Sequence, residues 1–270
     1  MPSKTKQTKK QTTTTTTTNT TTDSNTAADV ALQAMLPKWL PIQPLVAPSD
    51  LTLTALLPDQ VLTISRFWTT TLCKSYVTFL ATLPLITTPG TPKKGHAVRV
   101  NDRYQVGDSA FAERLWSGTA LKDLVEHPTV DGRELSVEEV KQLWGGEVLG
   151  LNSNIRIYRY SKGQFFDQHY DDSNNISFPT STSTTSIPAR TTWTLLIYLS
   201  SPATGCQGGE TVFYPETPGK RQSTPPPVVA DLEVGMALLH RHGKDCLLHE
   251  GREVLDGEKW VIRSDLCVRR

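Results

Sequence analysis

Residues 165–172 read FFDQHYDD and residues 249–266 read HEGREVLDGEKWVIRSDL, and these two stretches decide how the chain is built. His169 and Asp171 lie two positions apart, so on an extended strand both side chains leave the same face and reach one ion together. One imidazole and one carboxylate need a third donor to make a facial triad, which leaves the other positions of an octahedral Fe(II) open. His249 is the candidate third donor. An isolated H-x-D is weak evidence on its own, and the second stretch supplies the context. Lys259 follows His249 by ten residues, and on a strand Lys259, Val261 and Arg263 share one face. A cation turned into a fold is unfavourable without an anion, so this strand asks for a carboxylate-bearing ligand.

Working outward, the texture from Gly146 onward is β: short alternating or β-branched runs at 154–160, 165–171, 191–199, 210–214, 226–230, 235–240 and 259–266, separated by Gly, Pro and Asn. Upstream, Asp59 reads as an N-cap, and Val61, Ile64, Trp68, Leu72, Tyr76 and Leu80 fall at helical spacing, which predicts an amphipathic helix stopped near Pro84. An extended piece, HAVRVNDRY at 96–104, precedes a second predicted helix with Phe111, Leu115 and 121–125 on its apolar face. Ser136 and Glu139 form a capping-box pattern for a third helix ending at Gly145 and Gly146. Helices first and strands afterwards predict an α+β domain over 59–270, with helical support about 59–146 and a largely antiparallel barrel or sandwich about 147–268. No internal repeat appears.

Residues 1–28 are a low-complexity, threonine-rich stretch that reads as a disordered tail, its lysines Lys4, Lys6, Lys9 and Lys10 forming a solvated basic cluster. Residues 29–58 read as a Pro-punctuated linker, with Trp39 placed to dock on the domain. A formal net charge of +1 gives no bulk field that argues for nucleic acid or an anionic membrane, and neither partner is expected. The longest apolar stretches are interrupted well short of the ~20 residues that a spanning helix needs. No apolar h-region follows the first lysines, which points to cytoplasm or nucleus. Cys73, Cys206, Cys246 and Cys267 form no C-x-x-C pair and read as reduced.

The segment from Tyr160 through His169 and Asp171, then TLLIYLS at 194–200, GGETVF at 208–213, the strand around 234–239, and His249 with Lys259-Trp260, resembles the catalytic domain of prolyl 4-hydroxylases in order and spacing. These enzymes are Fe(II)- and 2-oxoglutarate-dependent dioxygenases, and the resemblance covers roughly residues 95–268. It implies a double-stranded β-helix, or jelly-roll, barrel braced by the N-terminal helices. It also implies Fe(II), with 2-oxoglutarate and O2 as co-substrates and L-ascorbate as reductant. By the same resemblance His169, Asp171 and His249 hold the metal, and Lys259 pairs with the distal carboxylate of 2-oxoglutarate. Tyr160 and Thr194 are candidates for the co-substrate site, and no catalytic residue beyond the metal ligands is implied. The reaction expected is hydroxylation of an unactivated C–H bond with release of succinate and CO2. A prolyl residue of a protein is the expected substrate, with a small molecule as the alternative.

Other features keep open readings. Arg263 is a rival anchor for the distal carboxylate, although its offset of fourteen from His249 fits less well than the ten of Lys259. His240 and His242 form an H-x-H pair that could compete for metal, but Glu250 follows too far along for that spacing, and the pair is read as a strand end and a loop. Asn101 and Arg103 read as a strand-to-helix turn or a substrate-facing edge. The polar stretch 172–190 reads as a loop bordering the iron, either a lid or a disordered insert. Two rivals remain: a nucleic-acid demethylase, which calls for an arginine anchor and a basic surface, and a non-catalytic binding domain on the same fold.

Overall fold

The computed structural model describes residues 36–88, 90, 97–179, 186–216 and 223–270. The basic cluster of the tail and His96 lie outside these residues. Among the described residues of the compact unit Lys38–Arg270, fifteen strands build the two main sheets. They are β1 (Thr54–Leu57), β2 (Val61–Ile64), β3 (Ile86–Thr87), β4 (Arg99–Val100), β5 (Asp102–Gly107), β6 (Val148–Leu151), β7 (Asn154–Ser161) and β8 (Phe165–His169). There follow β9 (Asn175–Phe178), β10 (Ile187–Tyr198), β11 (Thr211–Tyr214), β12 (Val228–Ala230), β13 (Ala237–Arg241), β14 (Leu248–Gly251) and β15 (Glu258–Arg269). The larger sheet runs β1-β2-β13-β10-β15-β7-β5-β3, with β9 paired to β10 and β6 to β15. The smaller runs β12-β11-β14-β8-β4. Every pairing within them is antiparallel.

Period-two alternation assigns each face of the larger sheet. Ile155, Ile157, Trp193, Leu195, Ile197, Leu239, Trp260, Ile262 and Leu266 point to one side and join a core with four helices, α1 (Thr70–Leu80), α2 (Ser109–Ser117), α3 (Leu121–Glu126) and α4 (Val137–Trp144). Tyr158, Tyr160, Tyr198, Leu238 and Val261 point to the other and meet Phe213 and Ala230 of the smaller sheet. The expected barrel is therefore two separately hydrogen-bonded sheets facing each other across this second cluster. The candidate site lies at one end of that cluster.

The N-terminal half differs from its reading. The helix expected from Asp59 is instead a hairpin, β1–β2, followed by α1 from residue 70. Asp59 adopts φ 56° in the turn, and Thr69 is the N-cap, accepting from Leu72 N at 3.2 Å. Val61, Leu62 and Ile64 are buried because β2 is inserted between β1 and β13, and an apolar run buried on both faces carries no periodicity that separates strand from helix. The second expected helix is two, α2 and α3, interrupted near Gly118. The third is as read: Ser136 and Glu139 form the reciprocal capping box, and Gly145 closes α4 at φ 80°, in the left-handed region.

The linker boundary at residue 58 also moves. Trp39, Ile42, Leu51 and Leu53 are buried in the main core, so the domain begins at Lys38. Trp39 stacks on Phe111 with ring centroids 3.9 Å apart, and its Nε1–H donates to Asp108 Oδ2 at 2.8 Å. The loop 172–190 carries strand at both ends, since Asn175–Phe178 pairs with Ile187–Arg190. All four cysteines are free and buried. No helix among the described residues is long and apolar enough to cross a membrane.

Candidate metal centre and its cavity

Strand register brings the site together. His169 at the end of β8 and His249 on β14 are direct cross-strand partners, so their imidazoles emerge side by side, ring centroids 4.2 Å apart. The β8–β14 pairing shifts register between Phe166 and His169, and such irregularities re-aim side chains. Phe166 stacks flat against His169 at 3.5 Å between centroids. Asp171 follows just beyond the strand, and one donor atom each from His169, Asp171 and His249 lie within 4.8 Å of one another.

Both imidazoles are oriented by the same device. His169 Nδ1 meets Asp167 O at 2.7 Å, and His249 Nδ1 meets Leu247 O at 2.9 Å. A carbonyl only accepts, so Nδ1 carries the proton and Nε2 is left with a bare lone pair. Those Nε2 atoms stand 3.8 Å and 3.9 Å from the Asp171 carboxylate. Burial pushes the His169 pKa down to about 3 and lowers that of His249, so both rings are neutral and neither approach is an ion pair. Neutral nitrogens and a carboxylate oxygen make a donor set suited to a divalent first-row metal.

Asp171 is held in its ionised form. Burial by itself would raise its pKa, but the Arg263 guanidinium beside it holds it well below the usual carboxylate range. Arg263 Nη2 lies 2.9 Å from Oδ2, and Nη1 donates to Oδ1 at 3.3 Å. Thr194 Oγ1 donates to Oδ2 at 2.9 Å. Thr194 is thus behind the carboxylate, and it is absent from the residues lining the cavity, where a co-substrate contact had been expected. Arg263 is committed to Asp171 and, at 3.4 Å, to Asp265.

In front of these groups is a small cavity of about 50 Å³, lined among others by Tyr158, Tyr160, His169, His249, Lys259 and Arg263. Lys259, Val261 and Arg263 do share its wall, as the alternation required. Lys259 is 5% exposed, and Nζ donates to Gly209 O at 2.6 Å. No carboxylate of the described residues is within ion-pair distance of it, and burial lowers its pKa to about 8. Tyr160 is the cross-strand partner of Lys259, and Nζ sits 5.5 Å from its ring centroid and 5.4 Å from that of Tyr198. The glycine pair of GGETVF makes room for this lysine: at Gly209, φ 76°, an added Cβ would come within 3.2 Å of Lys259 Cδ.

His240 is at a strand end, as read, but its side chain is buried inside the site, with Nε2 3.7 Å from Asp171 Oδ2. The alternation Met236, Leu238, His240 on the inward face was the available signal. Cys246, near His249, had no such signal. Asn101 is buried between β4 and β5 rather than at a strand-to-helix turn, accepting from Thr88 Oγ1 at 3.1 Å, and Arg103 rests over the Tyr158 ring at 5.9 Å.

Residues 155–264 match the family model described as the 2OG-Fe(II) oxygenase superfamily. Among solved structures, a Pseudomonas putida prolyl-4-hydroxylase is similar at 12% identity, covering 80% of this chain and 96% of that one with a TM-score of 0.50. A viral collagen prolyl hydroxylase from Paramecium bursaria Chlorella virus-1 matches at 15% identity over 79% of this chain and 99% of that one, TM-score 0.46. HygX from Streptomyces hygroscopicus, solved with nickel, 2-oxoglutarate and hygromycin B, matches at 16% identity over 77% and 83%, TM-score 0.45. No curated protein matches the chain.

Proposed function

We propose, from the match of residues 155–264 to the 2OG-Fe(II) oxygenase family model, that this chain is a dioxygenase of that superfamily in which His169, Asp171 and His249 hold Fe(II) and Lys259 anchors 2-oxoglutarate. One observation carries the assignment. A buried lysine with no carboxylate partner shares a cavity with two tautomer-locked imidazoles and a carboxylate held ionised. A dicarboxylate satisfies both ends: one carboxylate meets the metal, and the other neutralises a cation that is costly to bury alone. Lys259 is preferred to Arg263 because Arg263 already has two carboxylate partners.

Bound iron with 2-oxoglutarate and O2 supplies an oxidant strong enough to hydroxylate an unactivated C–H bond, the co-substrate leaving as succinate and CO2. The protein's own part is positioning. Arg263 and Thr194 fix the Asp171 carboxylate, the Asp167 and Leu247 carbonyls fix the imidazole planes, and Tyr160 and Tyr198 enclose the Lys259 ammonium in aromatic surface. Within this reading the facing sheets are the two walls of a jelly roll, the helices brace its larger sheet, and L-ascorbate serves as reductant.

For the substrate we propose a prolyl residue of a protein, on the order and spacing of the motifs from Tyr160 to Trp260. The test is succinate release from 2-oxoglutarate under Fe(II) and O2, followed by mass spectrometry of cell-extract proteins and metabolites treated with wild type or His169→Ala. Iron-dependent succinate and a one-oxygen gain on proline are expected. Oxygen gained only by a metabolite removes the prolyl assignment and leaves the dioxygenase, whereas absence of turnover and of 2-oxoglutarate binding removes both.

A further inference from the structure

We propose that a second cavity, at the C-terminal end of α4, is a binding site for the hydrogen phosphate ion. It measures about 90 Å³ and is walled among others by Arg190, Thr192, Arg241, His242, Lys244 and Asp245. It shares no wall residue with the cavity at the metal centre. Arg241 Nε, Thr192 Oγ1 and His242 Nε2 are buried without a hydrogen-bond partner among the described residues, and His242 is 5% exposed. Leaving buried polar atoms unpaired is costly, so three around one cavity call for an occupant. The arginines also have a structural duty. Arg241 Nη2 donates to Gln142 O and Leu143 O at 2.9 and 3.0 Å, and Arg190 Nη2 donates to Gly145 O at 2.9 Å, which closes the last turn of α4. That duty uses none of the three unpaired atoms.

Charge and tautomer specify the occupant. Arg190, Arg241 and Lys244 face a single carboxylate, Asp245, whose Oδ2 lies 3.7 Å from Arg241 Nη1, so the walls favour an oxyanion. On His242, Nδ1 meets Thr194 Oγ1 at 3.1 Å. Thr194 gives its one hydroxyl proton to Asp171 Oδ2, so Nδ1–H is the donor to Thr194. Burial lowers the pKa of the ring and keeps it neutral, which leaves Nε2 a bare acceptor. Thr194 does not line this cavity, so the Nε2 edge of the ring is the one turned to it. The ligand must then accept from Arg241 Nε–H and donate to His242 Nε2. Hydrogen phosphate does both, through its oxygens and its P–OH. Sulfate and carboxylates have no proton to give at neutral pH, and a phosphate monoester, with a second pKa of about 6, has mostly lost its own. The cavity has room for a few waters or one tetrahedral ion. Through the His242 ring an occupant also reaches Thr194, a support of the Asp171 carboxylate. The site itself depends on no metal and on no assignment of the reaction.

Calorimetric titration of the metal-free, full-length chain with inorganic phosphate and with sulfate tests the proposal. Phosphate should bind saturably and about tenfold more tightly than sulfate, the worth of one hydrogen bond to an otherwise unpaired buried acceptor. Thr192→Val should weaken phosphate binding several-fold and keep the preference, whereas His242→Phe should erase the preference. Lys259→Met, which removes the cation of the other cavity, should change neither. A crystal structure of the wild type grown in phosphate, which needs no variant to fold, should place a tetrahedral ion within hydrogen-bond reach of Arg241 Nε and His242 Nε2. Waters alone in the cavity, no saturable binding, sulfate bound as tightly as phosphate, or loss of phosphate binding in Lys259→Met each overturn the proposal. None of these outcomes bears on iron-dependent succinate release, so the dioxygenase reading stands or falls separately.

Discussion

Lys259 is buried, and its pKa falls to about 8 because burial disfavours the charged form, against an unfolded value of 10.5. A dicarboxylate anchored there needs the ammonium, so above pH ~8 binding must take up a proton and 2-oxoglutarate affinity must fall as pH rises. Calorimetry of the Mn(II)-loaded protein in buffers of different ionisation enthalpy should record that uptake, and Lys259→Arg should remove the pH slope even if affinity drops. Equal affinity on both sides of pH 8 in wild type would exclude Lys259 as the anchor. Arg263 plays a different part, since it neutralises Asp171. Removing one member of a buried pair costs roughly 3–5 kcal/mol. A divalent ion on Asp171 replaces the lost charge, so Arg263→Met should melt well below wild type as apo-protein and recover more than wild type does when Mn(II) is added. Thermal unfolding with and without metal measures both differences.

At the level of elements, what could be read from the sequence depended on whether a pattern had one physical meaning. The capping box at Ser136 and the alternation through Lys259 and Arg263 each had one, and the structure places them so. The run 61–80 had two, because a strand buried on both faces mimics the spacing of a helix, and only its neighbours β1 and β13 decide the matter. That Thr194 and His240 lie side by side at Asp171 was not legible, because it comes from cross-strand pairing, a relation between strands distant in sequence. Prolines in 37–58 resemble a linker, yet Trp39, Ile42, Leu51 and Leu53 fill the core, each worth about 1.5–3 kcal/mol on burial. Their sum is comparable to the whole stability of a domain, so a chain beginning at Asp59 should fail to fold. Loss of the cooperative thermal transition checks this; a normal transition would show that the segment merely decorates the core.

For the molecule as a whole, burial of the site's imidazoles sets the response to acid. The pKa values of His169, His240 and His249 all lie below the ordinary 6.5, with burial as the leading cause. A depressed imidazole is neutral when folded and protonated when unfolded, so the unfolded chain binds more protons below pH 6.5. Apo stability must then decline as pH falls from about 6.5 toward the folded value, about 3 for His169. Asp171 adds a second loss only below its unfolded value of 3.8. Metal binding behaves otherwise. A histidine site of ordinary pKa loses its ion as pH drops through about 6.5, because the ligand must be neutral. Here burial shifts both ligand imidazoles downward, that of His169 to about 3, so affinity should fall less between pH ~7 and ~5 than at a site of ordinary pKa. Mn(II) at 100 times its Kd adds about 2.7 kcal/mol, and most of that offset between the stability curves with and without metal should persist to pH ~5 while both slope downward. Chemical denaturation at a series of pH values, with metal concentration scaled to the Kd measured at neutral pH, gives the offset directly. If it collapses between pH 7 and 5, the folded histidines titrate like exposed ones, and the preorganised site argued from their carbonyl locks is absent.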